Sequence, residues 1–323
     1  MNVRSKDGFG EIGLGAWQLG ADWGTLDDDQ AQEILSMAMR CGIRFIDTAD
    51  VYGAGRSETR IGEFLADHPD SGFFVATKLG RLHGYPDGYS LELFRTCIQD
   101  SCSRLGVEKL DLVQLHCVPT EVLRKGDVFD WLRTLQSEGL IRYFGASVES
   151  TEEAEICLAQ EGLYSLQIIY NIFRQHPIST IFDKAQEKGV ALIVRLPLAS
   201  GLLSGRFHQN SVFPETDHRH YNRDGAAFHV GETFAGIPYE KALELTSTLS
   251  TMVEEEELPL SLVALRWILD HPAVTVVIPG ASSIEQVIQN SQASELSSLS
   301  ESLHIRLRGF YEEEVHAHVR GQL

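Results

Sequence analysis

Residues 27–47, DDDQAQEILSMAMRCGIRFID, hold one complete unit of the repeat that decides the fold. Asp27–Asp29 supply acidic residues suited to a helix start. Ala31, Ile34, Leu35 and Ala38 follow at the i, i+3, i+4, i+7 spacing of a one-faced helix. Gly42 suits the stop, because glycine accepts the left-handed conformation there. Ile43–Ile46 then reads as a strand, and a polar residue, Asp47, stands at its end.

The same unit recurs in both directions. Ser57 opens a second helix with Ile61, Phe64 and Leu65 inward, and Phe73–Thr77 is a strand. Leu91, Phe94, Ile98, Cys102 and Leu105 mark a helix ended by Gly106, before a strand at Leu110–Leu115. A helix through Phe129, Leu132 and Leu135 ends at Gly139, and Ile141–Ala146 is a strand. Ser150 and Glu153 have the spacing of a capping box for the next helix. Leu166–Ile169 is a strand, Ile178–Lys188 a helix and Val190–Val194 a strand. Helices near Tyr239–Val253 and Ser261–Leu269, a strand at Val274–Ile278 and a helix at Ser283–Ala293 complete the series. The strands are Val/Ile/Leu-rich without strict alternation, as strands covered on both faces are. A short strand near Ile12–Gly15 brings the count to eight. Eight units favour a (β/α)₈ TIM barrel, an α/β fold, over a doubly wound sheet, which should carry a GxGxxG turn after its first strand; none follows strand one here. Residues 1–323 are expected to form a single barrel domain. The stretch 199–236 breaks the rhythm with Gly, His, Asn, Asp and Phe. It follows strand seven, so a barrel places it as a long lid on the C-terminal face, where barrel active sites sit.

Composition narrows the partners. The 323 residues carry 27 Lys plus Arg against 46 Asp plus Glu, a formal charge of -19. That field repels nucleic acid and anionic membranes, so an anionic ligand must bind through local features. Cys41, Cys97, Cys102, Cys117 and Cys157 show no CxxC spacing and read as reduced thiols, mostly buried. The N-terminal residues lack the apolar core of a signal peptide, and no apolar run reaches a membrane span, so the cytoplasm is the expected compartment. No exposed apolar stripe indicates an oligomeric state.

Four polar residues stand where a barrel converges its strand ends: Asp47 after strand two, Tyr52 in the loop beyond it, Lys78 after strand three and His116 after strand four. Each alone has a plain structural role as a cap, a buried stem or a packed ring. Together they form a proton-transfer set. A tyrosine's ordinary pKa near ~10 is high for exchange at neutral pH. A neighbouring ammonium is expected to lower it, a carboxylate to hold that ammonium, and an imidazole to orient a substrate oxygen.

The segment Gly42-Ile43-Arg44-Phe45-Ile46-Asp47-Thr48-Ala49-Asp50-Val51-Tyr52-Gly53 closely resembles the aldo-keto reductase signature G-x-x-x-x-D-T-A-x-x-Y-G. The resemblance continues through Val75–Lys78, Asp111–His116, Gly139–Ser147, Leu166–Asn171, Pro197–Gly205 and Ile278–Ala281, most of the chain in the expected order. It implies a reductase of small aldehydes or ketones in which NADP(H), with NAD(H) as the alternative, lies across the barrel mouth and delivers hydride to the carbonyl carbon. Tyr52 would then donate the proton, assisted by Lys78 and Asp47, with His116 orienting the carbonyl; no metal is required. The resemblance also implies that Ser147 and Gln167 bind the nicotinamide carboxamide and that Ser204, Gly205 and Arg206 approach the pyrophosphate. Ser282, Ser283, Gln286 and Asn290 would surround the adenosine end, near a helix N-terminus suited to phosphate.

The chain departs from the family pattern at three places. Ser147-Val148 replaces a frequent Ser-Asn. Arg195 stands where many members set an aromatic against the nicotinamide, and is expected either to stack there or to point outward. Ser282 and Gln286 are neutral where NADP-preferring members often carry an arginine, so Arg206, Arg219 or Arg223 would have to meet the 2′-phosphate. Trp17 after strand one is the candidate substrate-pocket residue, and Trp23, Tyr85 and Phe144 are further aromatics that could line the pocket. His208, His218, His220 and His229 in the lid match no standard metal spacing. The small-molecule partner is a carbonyl or alcohol. Two other roles stay open: an NAD-dependent sugar or alcohol dehydrogenase of the same fold, and a nicotinamide-sensing subunit with slow turnover. All four proton-transfer residues are present, which argues for turnover.

Overall fold

The structure, a computed structural model, describes residues 8, 10–20 and 26–323. Eight strands run in one parallel sheet whose spatial order is the chain order: β1 Leu14–Gly15, β2 Phe45–Asp47, β3 Phe74–Leu79, β4 Leu110–His116, β5 Ile141–Ser147, β6 Ser165–Ile169, β7 Ala191–Arg195 and β8 Val274–Val277. The first strand bridges the last in parallel at Ile12 with Val277 and at Gly15 with Gly280, so the sheet closes into the expected barrel. Helices follow the strands: α1 Asp28–Arg40, α2 Arg56–Asp67, α3 Leu91–Leu105, α4 Thr120–Lys125, α5 Asp127–Ser137, α6 Thr151–Leu158, α7 Pro177–Thr180, α8 Phe182–Lys188, α9 His218–Tyr221, α10 Tyr239–Met252, α11 Leu260–Leu269, α12 Ile284–Ser291 and α13 Glu301–Phe310. Among the described residues no helix is long and apolar enough to cross a membrane. All five cysteines are free; Cys97, Cys117 and Cys157 are buried.

Local chemistry sets the helix ends. Asp27 accepts from the amide of Gln30 at 2.8 Å while Gln30 returns the bond at 3.1 Å, a complete capping box. Ser150 accepts from the amide of Glu153 at 3.2 Å, but the Glu153 carboxylate accepts from Glu149 N at 2.9 Å, so the anticipated box there is half made. The helix anticipated at Ile178–Lys188 is divided at Ile181 into α7 and α8. The segment 199–236 is not structureless: short helical turns at Ala199–Ser204, His218–Tyr221, Val230–Glu232 and Phe234–Gly236 punctuate it.

Two cores explain why the strands do not alternate in polarity. Ile46, Val75, Val113, Leu115, Phe144 and Leu166 face the helices. Their neighbours Phe45, Phe74, Ala76, Leu112, Ile193 and Val276 fill the barrel, with Tyr143 and Tyr164 stacked at 4.0 Å between ring centroids. Side chains two residues apart share a face. Two steps on from Phe45, Ala76 and Ile193, and four from Leu112 and Tyr143, the inward positions become Asp47, Lys78, Arg195, His116 and Ser147. The register aligns this polar layer: Lys78 pairs with Gln114, His116 with Ser147, and Ser147 with Gln167. Gly145 sits just below it. A Cβ there would meet the Ser165 carbonyl oxygen at 2.6 Å, so only glycine lets the strands approach.

Candidate active site

The polar layer forms the floor of a cleft of about 580 Å³ at the C-terminal mouth. Lys78, only 1 % exposed, donates to Asp47 Oδ2 at 2.6 Å, to the Thr48 carbonyl at 2.9 Å and to Tyr52 Oη at 3.2 Å. The other Asp47 oxygen accepts from Gln167 Nε2 at 2.7 Å and Gln114 Nε2 at 3.3 Å. The carboxylate is therefore satisfied on both sides, as a buried charge must be. Asp47, Tyr52 and His116 line the cleft. The His116 ring meets Tyr52 edge-on at 5.9 Å and 88°. Gln114, within a motif noted in the sequence, had no role assigned there; its inward register next to Lys78 is the missing signal.

Electrostatics correct one expectation. Burial pushes the Tyr52 phenol above its ordinary value, and the nearby Lys78 charge only partly opposes this. For Lys78, burial works against the charge, but Asp47 and then Tyr52 outweigh it and raise its pKa. His116 is held well below the usual imidazole range by burial, then by the charges of Arg81 and Lys78. At neutral pH the site thus holds a protonated phenol, a charged lysine and a neutral imidazole. The set is poised to give a proton to an oxygen.

The anticipated cofactor residues gather along the same cleft. Ser147 donates to Gln167 Oε1 at 3.3 Å, and both line it. Ser204, Arg206, Ser282, Gln286 and Asn290 line it at the side of strands β7 and β8, and Gly205 lies just outside as a left-handed turn, φ 70°. Ser283 caps α12 by accepting from Gln286 N at 3.4 Å. The amide and hydroxyl of Ser282 both donate to Gln286 Oε1, at 2.8 and 3.2 Å. Gln289 and Gln18 also line the cleft, and neither carries a signal in the sequence. The buried Gln18 Oε1 has no hydrogen-bond partner. A pocket with paired amide and hydroxyl groups at one end, an unpartnered amide oxygen and a capped helix at the other matches the donors and acceptors of a dinucleotide.

Of the three arginines considered for a 2′-phosphate, Arg219 is bound to Asp217, with Nε 2.9 Å from Oδ1, and its guanidinium lies 4.7 Å over the Phe213 ring. Arg223 lies 4.7 Å over Tyr239 and does not line the cleft. Arg206 lines the cleft, is exposed, and its guanidinium meets no carboxylate among the described residues.

Arg195 neither points outward nor lies free. Its Nη2 donates to the Val148 carbonyl at 3.1 Å, and its Nη1 lies 3.3 Å from Glu232 Oε1. Arg81 Nη1 reaches the same Oε1 at 3.3 Å. Glu232 comes from the lid, and the Glu149 carboxyl hydrogen-bonds to it. Arg81, Glu149 and Glu232 were not singled out in the sequence; only Arg81, three residues past Lys78, had a positional signal. Among the described residues the grouping of metal-ligand types is Cys117, Glu149 and Glu232, none of them a lid histidine, and the two guanidiniums occupy its surroundings.

Trp17 stacks on Tyr52 at 5.6 Å and 13°, with the lid's His218 tilted against it at 4.9 Å and 33° and Phe228 at 6.3 Å. Tyr85 is 57 % exposed and Phe144 is buried on the helix side of β5, so neither belongs to the pocket. Trp23 lies outside the described residues. Ser200 Oγ ties the lid down: it donates to the Glu232 carbonyl at 3.0 Å, accepts from Phe234 N at 3.2 Å, and lies 3.4 Å from His218 Nε2.

Comparison with known proteins agrees with this architecture. Residues 11–312 match the aldo/keto reductase family. The chain is 28% identical over 290 residues to the probable aldo-keto reductase 1 of Glycine max, covering 88% of this chain and 80% of that one. Among solved structures it is similar to the holo form of an aldo-keto reductase, AKR11C1, from Bacillus halodurans, with TM-score 0.73, 28% identity and 93% and 91% of the two chains covered. The glycerol dehydrogenase AKR11B4 of Gluconobacter oxydans gives TM-score 0.74 and 27% identity over 94% and 92%. With a closed eight-stranded barrel and a family match over nearly its whole length, the chain belongs to the aldo/keto reductase family and is an NAD(P)H-dependent oxidoreductase.

Proposed function

We propose that this chain reduces a small aldehyde or ketone with NADPH, with Tyr52 as proton donor. The observation that carries the reading is the buried chain Asp47–Lys78–Tyr52, opening on a cleft with its phenol protonated. When bound, the reduced nicotinamide supplies a hydride and leaves oxidised. Tyr52 gives its proton to the carbonyl oxygen as the carbon takes the hydride, so the C=O becomes an alcohol. Lys78 stabilises the phenolate left behind, and Asp47 keeps Lys78 charged and in place. Neutral His116 donates to the carbonyl oxygen and fixes its direction. Ser147 and Gln167 hold the carboxamide, Ser204, Gly205 and Arg206 the phosphates, and Ser282, Gln286 and Asn290 the adenosine end. Trp17 walls the substrate pocket, and Arg195 borders the nicotinamide subsite.

A phenol that is protonated at neutral pH suits the reducing direction, because the reverse reaction starts from phenolate. A second reading, NAD-dependent alcohol oxidation, is favoured by the neutral Ser282–Gln286 pair. Fluorescence titration with NADPH and with NADH separates them. Tighter NADPH binding supports the reductase, with Arg206 as the phosphate's cation; tighter NADH binding supports the dehydrogenase. Binding of neither removes both.

A further inference from the structure

The catalytic cleft carries an arrangement of charge that carbonyl reduction itself does not use. Arg81 and Arg195 line it together with Glu232, and both guanidiniums converge on one oxygen, Glu232 Oε1, each at 3.3 Å. Glu232 is 4 % exposed, so it is a buried anion shared by two cations. Burial, and then repulsion and hydrogen bonding from Glu232, push Glu149 up to about 8, while Arg195 and Arg81 overcome burial to hold Glu232 well below the usual carboxylate range. At neutral pH, Glu149 therefore stays protonated. Two positive charges meet one negative charge, and Asp47 with Lys78 adds none.

The remaining groups nearby do not remove this surplus. Burial, then Glu149, raise the Cys117 thiol, leaving it uncharged. Burial, then the neighbouring arginines, depress His116 and His229, which are neutral, and Arg174 is a further cation. Donor capacity is also left over. Arg195 Nε is buried with no partner, and beyond Glu232 no acceptor meets Arg81 among the described residues. A guanidinium presents a planar fork suited to two oxygens, and an unpaired buried donor is costly.

The surplus lies in the cleft that holds the chemistry, and the charges of Arg81 and Arg195 both reach the His116 imidazole. Arg81 sits 5.0 Å over the Phe228 ring, Phe228 packs on Trp17, and Trp17 stacks on Tyr52. The cofactor's phosphates have a separate cation at the β7–β8 side of the cleft, Arg206.

We propose that the substrate of this enzyme is an anionic carbonyl compound, an aldehyde or ketone bearing a carboxylate, which Arg81 grips with support from Arg195 while Tyr52 and His116 act on the carbonyl. The inference rests on the reductase reading given above. The carboxylate is a handle and is unchanged in the reaction. Glu232 is a positioning residue that holds the two guanidiniums together on one oxygen.

The test compares acids with their neutral counterparts: 4-oxobutanoate and 4-formylbenzoate against their methyl esters, with NADPH as reductant. The expected result is kcat/KM at least tenfold higher for an acid than for its ester, carried mainly by KM. In Arg81→Met the ratio falls below about threefold, and in Arg81→Lys it recovers in part. Esters reduced as well as, or better than, both acids would overturn the inference and leave the reductase reading standing. If none of the four is reduced, the choice of carbonyl reduction fails, and calorimetry still decides the anion site. Benzoate bound at least tenfold tighter than benzamide, with that difference lost in Arg81→Met, supports it; equal binding of the two overturns it. Running the titration with and without NADP⁺ keeps the cofactor's own phosphate site from being counted.

Discussion

Gln167 donates its side-chain amide to Asp47 at 2.7 Å, joining the proposed carboxamide subsite to the carboxylate that holds the proton-donor chain. One glutamine thus serves both halves of the site. Gln167→Ala is expected to weaken nucleotide binding and lower kcat together, each by roughly tenfold, since a hydrogen bond to a charged group contributes about 1.5–3 kcal/mol. Titration and steady-state kinetics on the same preparation check this. A change in Kd alone would mean that Asp47 does not need its third partner.

Tyr52→Phe removes the proposed proton donor and leaves the ring on Trp17. The expected outcome is a fall in kcat of roughly 10²–10⁴-fold with the NADPH Kd little changed, measured by single-turnover reduction and by fluorescence titration. Near-normal turnover would transfer the proton donor to another group.

Lys78→Met strands the Asp47 carboxylate in the barrel, with the two glutamines as its remaining partners. Breaking a buried ion pair from one side costs about 3–5 kcal/mol. A Tm lowered by several degrees is expected with the loss of activity, and thermal unfolding monitored by circular dichroism measures it.

Arg206→Ala tests the cofactor choice. NADPH affinity should drop by about two- to fivefold, the size of one exposed ion pair, while NADH affinity barely moves. If both fall equally, Arg206 serves the shared pyrophosphate and not the 2′-phosphate.

Glu149 gives a signed pH prediction. Its folded pKa, about 8, lies above the ordinary 4.5 of a glutamate, so the stability it contributes is present below the lower value and is lost as pH rises through the upper one. Glu149→Gln keeps a hydrogen-bond donor to Glu232 without the titration. The variant should have a flatter Tm profile and exceed the wild type by about 2–4 °C at pH 9. In the wild type, the preference for acids over esters should decline above pH 8 as the surplus cation is cancelled; in the variant it should persist.

The barrel was legible because every unit repeats one pattern, an amphipathic helix, a glycine or polar stop, and a short apolar strand with a polar end. Asp47, Lys78 and His116 could be found from chain position alone, since each is the last inward residue of its strand. The two-core pattern was not visible as alternation, because inward Phe45 and outward Ile46 are equally apolar. The Arg81–Glu232–Glu149 cluster was hidden for a different reason. Its members come from the loops after β3 and β5 and from the lid, and no local spacing links residues 81, 149 and 232. Arg195 was seen but its partner was not, so its direction could not be read.

Ser200 ties three parts of the loop after β7 through one hydroxyl: the turn that carries it, the helix at His218 and the turn at Glu232–Phe234. Any opening that frees one of these anchors strains the others, so the loop is built to move collectively. Loop motions of that kind run on μs–ms timescales and set turnover in many enzymes by governing product release. Ser200→Ala is therefore expected to shorten the residence of the spent nucleotide, read as a faster off-rate in stopped-flow fluorescence, without touching an atom that reacts.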